Sequence, residues 1–167
     1  MHNSIGKGEK EKGMQIANKQ LASIRSKCTI YLTNATSGFQ GFVFSEYYKK
    51  TFEFHNEVEM LLGLNDLFDD IDFPQAAYQT RSFFDKPIPK IIRKVEDTLE
   101  NKPNETIDNS KTTFIVNVQY RQNASWQGSI TWVEQSRTQQ FRSAFEMIQL
   151  MNEAVSQGQI QKISWEE

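Results

Sequence analysis

The sequence predicts an α+β fold in which a strand-strand-strand-helix unit occurs twice, with helices packed on one face of an antiparallel sheet. The first observation is an internal repeat: residues 39–68 align without a gap on residues 126–155 at a constant offset. The second is that strand-like alternation gives way to helix-like spacing at the same place in both copies. The third is that a capping residue precedes each helix.

The two copies of the repeat share seven identical positions. These identical pairs are Gln40 and Gln127, Gly41 and Gly128, Thr51 and Thr138, Phe54 and Phe141, Glu59 and Glu146, Met60 and Met147, and Asn65 and Asn152. We interpret the repeat as an internal duplication.

The first unit begins with a β-favouring run over 29–33, and the small polar residues that follow predict a turn. Two more strands are expected over 39–45 and 50–54. Asn56 is suited to cap the next helix, because its side chain can accept hydrogen bonds from the free amides of the first turn. The apolar face expected on this helix comprises Val58, Leu61, Leu62, Leu64, Leu67 and Phe68.

The second unit shows the same plan more clearly. Residues 114–120 alternate apolar and polar side chains, as in a half-buried antiparallel strand, and the return strand is expected over 126–132. The turn between them falls at 123–125. Ser143 is predicted to cap a helix that runs to about Val155, with an apolar side formed by Phe145, Ile148, Met151 and Val155.

The repeat divides the chain into five segments. Residues 1–27 are a polar N-terminal tail or short helix, with a narrow stripe at Met14, Ala17, Leu21 and Ile24. Residues 28–72 form the first unit and residues 113–157 the second. Residues 73–112 contain prolines and a solvated loop, and are predicted to be a linker or a functional arm. Residues 158–167 are a C-terminal tail.

Composition favours a cytoplasmic protein. The formal net charge of −2 lacks the basic excess typical of nucleic-acid-binding domains. The single cysteine, Cys28, cannot form an internal disulfide, and the first residues lack the apolar core of a signal peptide. No apolar stretch reaches the roughly 20 residues of a membrane-spanning helix.

Few residues could support catalysis, so the sequence predicts a protein that is not an enzyme. His55 aligns with Arg142, so this position accepts two different basic side chains, which suits an exposed residue better than a general base. The acidic run from Asp66 to Asp72 lacks the spacing and central glycine of a calcium loop. Motifs for nucleotide-binding loops and nucleophile elbows are absent from the sequence, and we predict neither cofactor nor metal.

The most distinctive local sequence lies at 120–128, around the second hairpin. Asn123, Ser125 and Gly128 resemble the Asn-x-Ser-x-x-Gly half of the PilZ signature, and this resemblance implies cyclic di-GMP as an alternative ligand. The paired arginines of that signature are missing, since no two arginines here are four residues apart. The alternative is that these residues only shape the hairpin. The candidate partner-binding or ligand-binding residues are Arg121, Asn123, Ser125, Gln127 and Arg142.

Several longer motifs resemble a family of small uncharacterised Firmicutes proteins. These are residues 121–128 (RQNASWQG) and 141–147 (FRSAFEM), together with 73–75 and 81–83. The resemblance implies a bacterial cytoplasmic origin and carries no activity with it.

The leading hypothesis is a non-enzymatic binding or adaptor module that recognises a protein or peptide through its sheet surface or an uncovered strand edge. A small-molecule or nucleotide sensor centred on Arg121, Asn123 and Ser125 is the first alternative. A weak single-stranded nucleic-acid binder, with bases stacked on Trp126, Trp132 or Tyr120, is the second. No membrane partner is expected, and a homodimer stays open.

Overall fold

The computed structural model describes residues 5–77, 81, 83 and 112–156, and its six strands form one antiparallel sheet. The strands pair in the order β3-β2-β1-β4-β5-β6. This arrangement confirms the predicted α+β class. The elements are α1 (Ile5–Arg25), β1 (Lys27–Asn34), β2 (Gln40–Ser45), β3 (Lys50–Phe54), α2 (Glu57–Ile71), β4 (Thr112–Tyr120), β5 (Gln127–Trp132), β6 (Arg137–Phe141) and α3 (Ala144–Val155).

The strand order is symmetric about the centre of the sheet. β1 pairs with β4, with Ile30 opposite Phe114, and the other strands of each unit follow outwards in the same sequence. β3 and β6 are therefore the outermost strands of the described sheet. The two units share their order of elements, and their origin by duplication stays a prediction.

Both helices begin with the same cap. The side chain of Asn56 accepts from the Glu59 N–H at 2.9 Å, and that of Ser143 accepts from the Glu146 N–H at 3.0 Å. Each glutamate in turn accepts from the backbone N–H of the residue before the cap. These reciprocal bonds satisfy donors that would otherwise lack partners at a helix start.

Two aligned glycines allow close contact between neighbouring strands. A Cβ atom on Gly41 would overlap the backbone carbonyl of Tyr31, and one on Gly128 would overlap that of Asn117. Backbone atoms cannot move aside as a flexible side chain can, so both positions require glycine.

Alternate residues of the central strands and the inner faces of α2 and α3 form one hydrophobic core. The aligned aromatics of the two units are all buried in it: Phe39 and Trp126, and Phe54 and Phe141. The predicted helix faces need correction at three residues. Val58 and Phe145, which align with each other, are 63% and 70% exposed, and Leu62 is 43% exposed, whereas Met60 and Met147 in the same first turns are buried.

The segments outside the two units are only partly described. Residues 5–25 form helix α1, and the stripe residues Met14, Leu21 and Ile24 are exposed. Most of the predicted linker or arm, and the C-terminal tail, lie outside the described residues. Within the described part of the chain, no helix is long and apolar enough to cross a membrane.

Candidate functional site

Arg121 joins the second unit to the first. It follows β4, and its guanidinium donates from Nε to the Pro74 carbonyl at 2.6 Å and from Nη1 to Asn65 Oδ1 at 3.2 Å and Asp69 Oδ1 at 2.7 Å. The group also lies 5.7 Å from the centre of the Phe68 ring. Asn65, Phe68 and Asp69 share one side of α2 because they are three and four residues apart.

Arg121, a predicted binding residue, does not lie on accessible surface. Its side chain is only 2% exposed. The backbone contributes as well, since the Arg121 carbonyl accepts from the Ala77 N–H at 3.2 Å and Ala76 forms a parallel bridge beside it. Because its donors are bonded to α2 and to the segment that follows it, the guanidinium connects the two units and is not positioned to bind a ligand.

Asn123 and Ser125 shape the turn of the second hairpin. Asn123 and Ala124 both have left-handed backbone, with φ of 55° and 56°, and the Ser125 N–H closes the turn on the Gln122 carbonyl at 3.0 Å. Two successive left-handed residues define the tight turn that matches the twist of paired strands. Asparagine tolerates this conformation better than most residues, which gives Asn123 a structural reason to be there.

Ser125 and Arg142 are brought together at the start of α3. The Ser125 hydroxyl donates to the Arg142 carbonyl at 2.6 Å, and the Arg142 N–H donates to Glu146 at 2.7 Å. This backbone hydrogen bond, assisted by the nearby guanidinium, lowers the pKa of Glu146. The Arg142 side chain is 87% exposed and lies 3.5 Å from that carboxylate.

Gln127 is half-buried on β5, and the aligned Gln40 is half-buried on β2. Of the five predicted residues, the structure thus joins Ser125 to Arg142 directly, places Asn123 in the adjoining turn, and turns Arg121 towards α2. They do not form one accessible polar surface.

A cleft of about 560 Å³ opens elsewhere in the second unit, between the C-terminal half of α3 and strands β5 and β6. Its walls combine apolar and polar side chains. Arg137 and Gln139 line it from β6, and both are exposed. The remaining lining residues are Phe114, Ile130, Trp132, Gln135, Leu150, Glu153 and Ala154.

The two tryptophans of the second hairpin differ in their surroundings. Trp126 is 6% exposed and meets the Phe68 ring edge-on, with the ring centres 5.5 Å apart. Trp132 is partly buried in the cleft wall, and its indole Nε1 is covered without an acceptor among the described residues. Trp126 therefore offers no free ring face to a nucleic-acid base.

The remaining reactive groups occupy ordinary positions. Burial raises the pKa of the Cys28 thiol to about 12, so this cysteine stays protonated. His55 is exposed, and its Nδ1 lies 3.1 Å from Glu59. Within the described ranges, no group of three histidine, cysteine, aspartate or glutamate residues is placed to hold a metal ion.

Sequence reasoning missed the cleft, although a signal was present. When the units are aligned, Gln139 stands where the first unit has Phe52, and Trp132 stands where it has Ser45. These differences in side-chain size and polarity change the packing between the sheet and the helix of the second unit.

No family model, no curated protein and no solved structure matches this chain.

Proposed function

We propose that the chain is a non-enzymatic binding protein of the bacterial cytoplasm, and that it recognises an extended segment of a protein or peptide at β6. An outermost strand presents backbone donors and acceptors that an incoming strand can pair with. β6 is such a strand, and its side chains from Arg137 to Gln140 are exposed.

The observation that carries this proposal is the position of the cleft beside β6, which is an outermost strand of the described sheet. Arg137 and Gln139 belong both to β6 and to the cleft wall. Successive side chains of a strand point to opposite faces of a sheet. A segment paired with β6 would therefore direct every second side chain to the face that carries α3, where the cleft opens.

The other outermost strand differs at the corresponding place. On β3, Phe52 packs against Gly63 of α2, so the ring occupies the space between strand and helix. The two edges offer comparable backbone groups, and the cleft favours β6 as the site of recognition.

A small-molecule sensor is the second candidate. The cleft volume of about 560 Å³ falls within the range of small-ligand pockets, and an apolar floor with a few polar groups is typical of them. This observation favours a ligand in the cleft over one at Arg121, whose guanidinium is already bonded inside the protein.

Peptide selection followed by hydrogen exchange tests the leading proposal. Peptides selected from a random library on the intact chain should protect backbone amides of β6 from exchange and leave those of β3 unchanged. β3 is the matched control, because it is the corresponding outermost strand of the first unit. Protection at β3 alone, or at neither strand, would contradict pairing at β6.

The sensor is tested on the same protein with a library of small metabolites. A compound that raises the melting temperature and shifts resonances of Trp132 and Leu150, without protecting β6 amides, would favour the sensor over peptide recognition.

A further inference from the structure

The cleft of the second unit has a filled counterpart in the first. Phe52 projects from the outermost strand β3 onto α2, where a Cβ atom on Gly63 would lie 2.5 Å from the Phe52 ring. The ring is thus in direct contact with the helix backbone, and Phe52 joins the hydrophobic core. A phenyl ring from the edge strand closes the junction between sheet and helix.

The second unit lacks this ring. Gln139 occupies the position of Phe52 on β6 and is exposed, and Ala154 occupies that of the buried Leu67 on the helix. Both exchanges remove apolar volume from the junction, whereas Leu150 in place of Gly63 and Trp132 in place of Ser45 add apolar volume to it. The inner part stays apolar, with Ile130, Trp132 and Leu150 along the cleft.

We infer that the cleft takes an aromatic ring supplied by the bound molecule, seated between Trp132 and Leu150 on the side of β6 that corresponds to Phe52. This inference rests on the proposed use of the cleft as a binding site and adds the chemistry of its occupant. A planar ring can pack against Trp132 in an offset or edge-on arrangement. Such an aromatic pair contributes more binding free energy than the burial of apolar area alone. Because Leu150 stands where the first unit has Gly63, the bound ring cannot lie as close to the helix backbone as Phe52 does.

The polar residues that line the cleft are consistent with an aromatic ring that binds from the solvent side. Arg137, Gln139 and Glu153 are exposed, and neither Arg137 nor Glu153 forms an ion pair with another described residue. Their opposite charges leave the rim with no strong preference for a charged ligand. We therefore expect the apolar part of the bound molecule, and not its charge, to determine which ligands bind in the cleft.

Three matched probes test the inference by NMR on the full chain: N-acetylphenylalanine amide, N-acetylcyclohexylalanine amide and N-acetylleucine amide. The phenylalanine probe should shift the indole resonance of Trp132, assigned with Trp132→Phe, and bind about three- to tenfold tighter than either aliphatic probe. Equal binding of all three, or no shift at Trp132, would overturn the inference.

Substitutions that fill the cleft with a larger side chain of the protein itself provide a second test. Gln139→Phe should weaken binding of the phenylalanine probe about tenfold or more, because the new ring occupies the site. Gln140→Phe, on the opposite face of the same strand, should change it by no more than about twofold. Ala154→Leu restores the first unit's residue from the helix side and should also weaken binding. Unchanged binding in both cleft variants would overturn the inference.

These probes are too short to form a strand, so they separate this inference from the function proposed above. Selected peptides that protect β6 without any preference for aromatic residues would refute the inference alone. Binding of the phenylalanine probe, with no selected peptide protecting β6, would refute strand pairing alone.

Discussion

Replacement of Arg121 by alanine should lower the free energy of unfolding by about 3 kcal/mol, the upper end of the contribution of a hydrogen bond to a charged group. The guanidinium makes three hydrogen bonds, at 2.6, 2.7 and 3.2 Å. A hydrogen bond to a charged group contributes about 1.5–3 kcal/mol, but bonds from one side chain are not additive. The Asp69 side chain is 43% exposed, so solvent screens its share. The rest of the cost comes from the Pro74 carbonyl and the Asn65 amide, which lose their donor.

Urea denaturation followed by circular dichroism measures this loss, and the melting temperature should fall by roughly 10 °C for a chain of this size. Arg121→Lys should recover only part of it, since one ammonium group cannot reproduce the planar arrangement of Nε and Nη1 donors. Arg142→Ala is the matched control because that side chain is 87% exposed, and it should cost less than about 0.5 kcal/mol. A loss below about 1 kcal/mol for Arg121→Ala would refute a role in joining the two units.

Phe141→Ala should cost about 3–5 kcal/mol in denaturant melts because the ring is buried, and a cost no larger than that of Phe145→Ala would contradict this. Ala124→Gly should raise stability by about 0.4–1 kcal/mol, since φ is 56° there; a lower melting temperature would show that this backbone is not strained. The bond from the Arg142 N–H lowers the pKa of Glu146, so its stabilisation is present above pH 4.5 and is lost as pH falls through the lowered value. In melts across pH, the stability difference between the wild-type chain and Glu146→Gln should therefore shrink below pH 4.5, and a difference independent of pH would refute this.

Local rules account for what the sequence predicted well. The strand predicted over 50–54 is β3, and Asn56 and Ser143 are the helix caps. Alternation and capping depend on residues a few positions apart, so one sequence is enough to find them. The pairing of β1 with β4 joins distant parts of the chain, and no pattern within either strand specifies its neighbour.

Arg121 shows why the candidate site was less predictable. An arginine next to a tight turn is usually exposed, and the residues around it give no reason to expect otherwise. Its partners Asn65, Asp69 and Pro74 belong to the other unit and the segment after it. Only the packing of the units reveals that a carboxylate and two neutral oxygens converge on this guanidinium.

The difference between the two junctions also favours a functional cleft over imperfect packing. A fully buried phenylalanine side chain contributes about 1.5–3 kcal/mol relative to an exposed one, and the partly buried Phe52 gives the first unit a share of this contribution. The second unit has Gln139 at the same place and keeps an apolar floor partly open to solvent. Its helix and strands otherwise repeat the same caps and the same close glycine contact, but Leu150 replaces the glycine on which the Phe52 ring lies, so the two junctions are packed differently. Local departures from the most stable choice concentrate where a protein binds or reacts, and here the departure lies beside β6, an outermost strand of the described sheet.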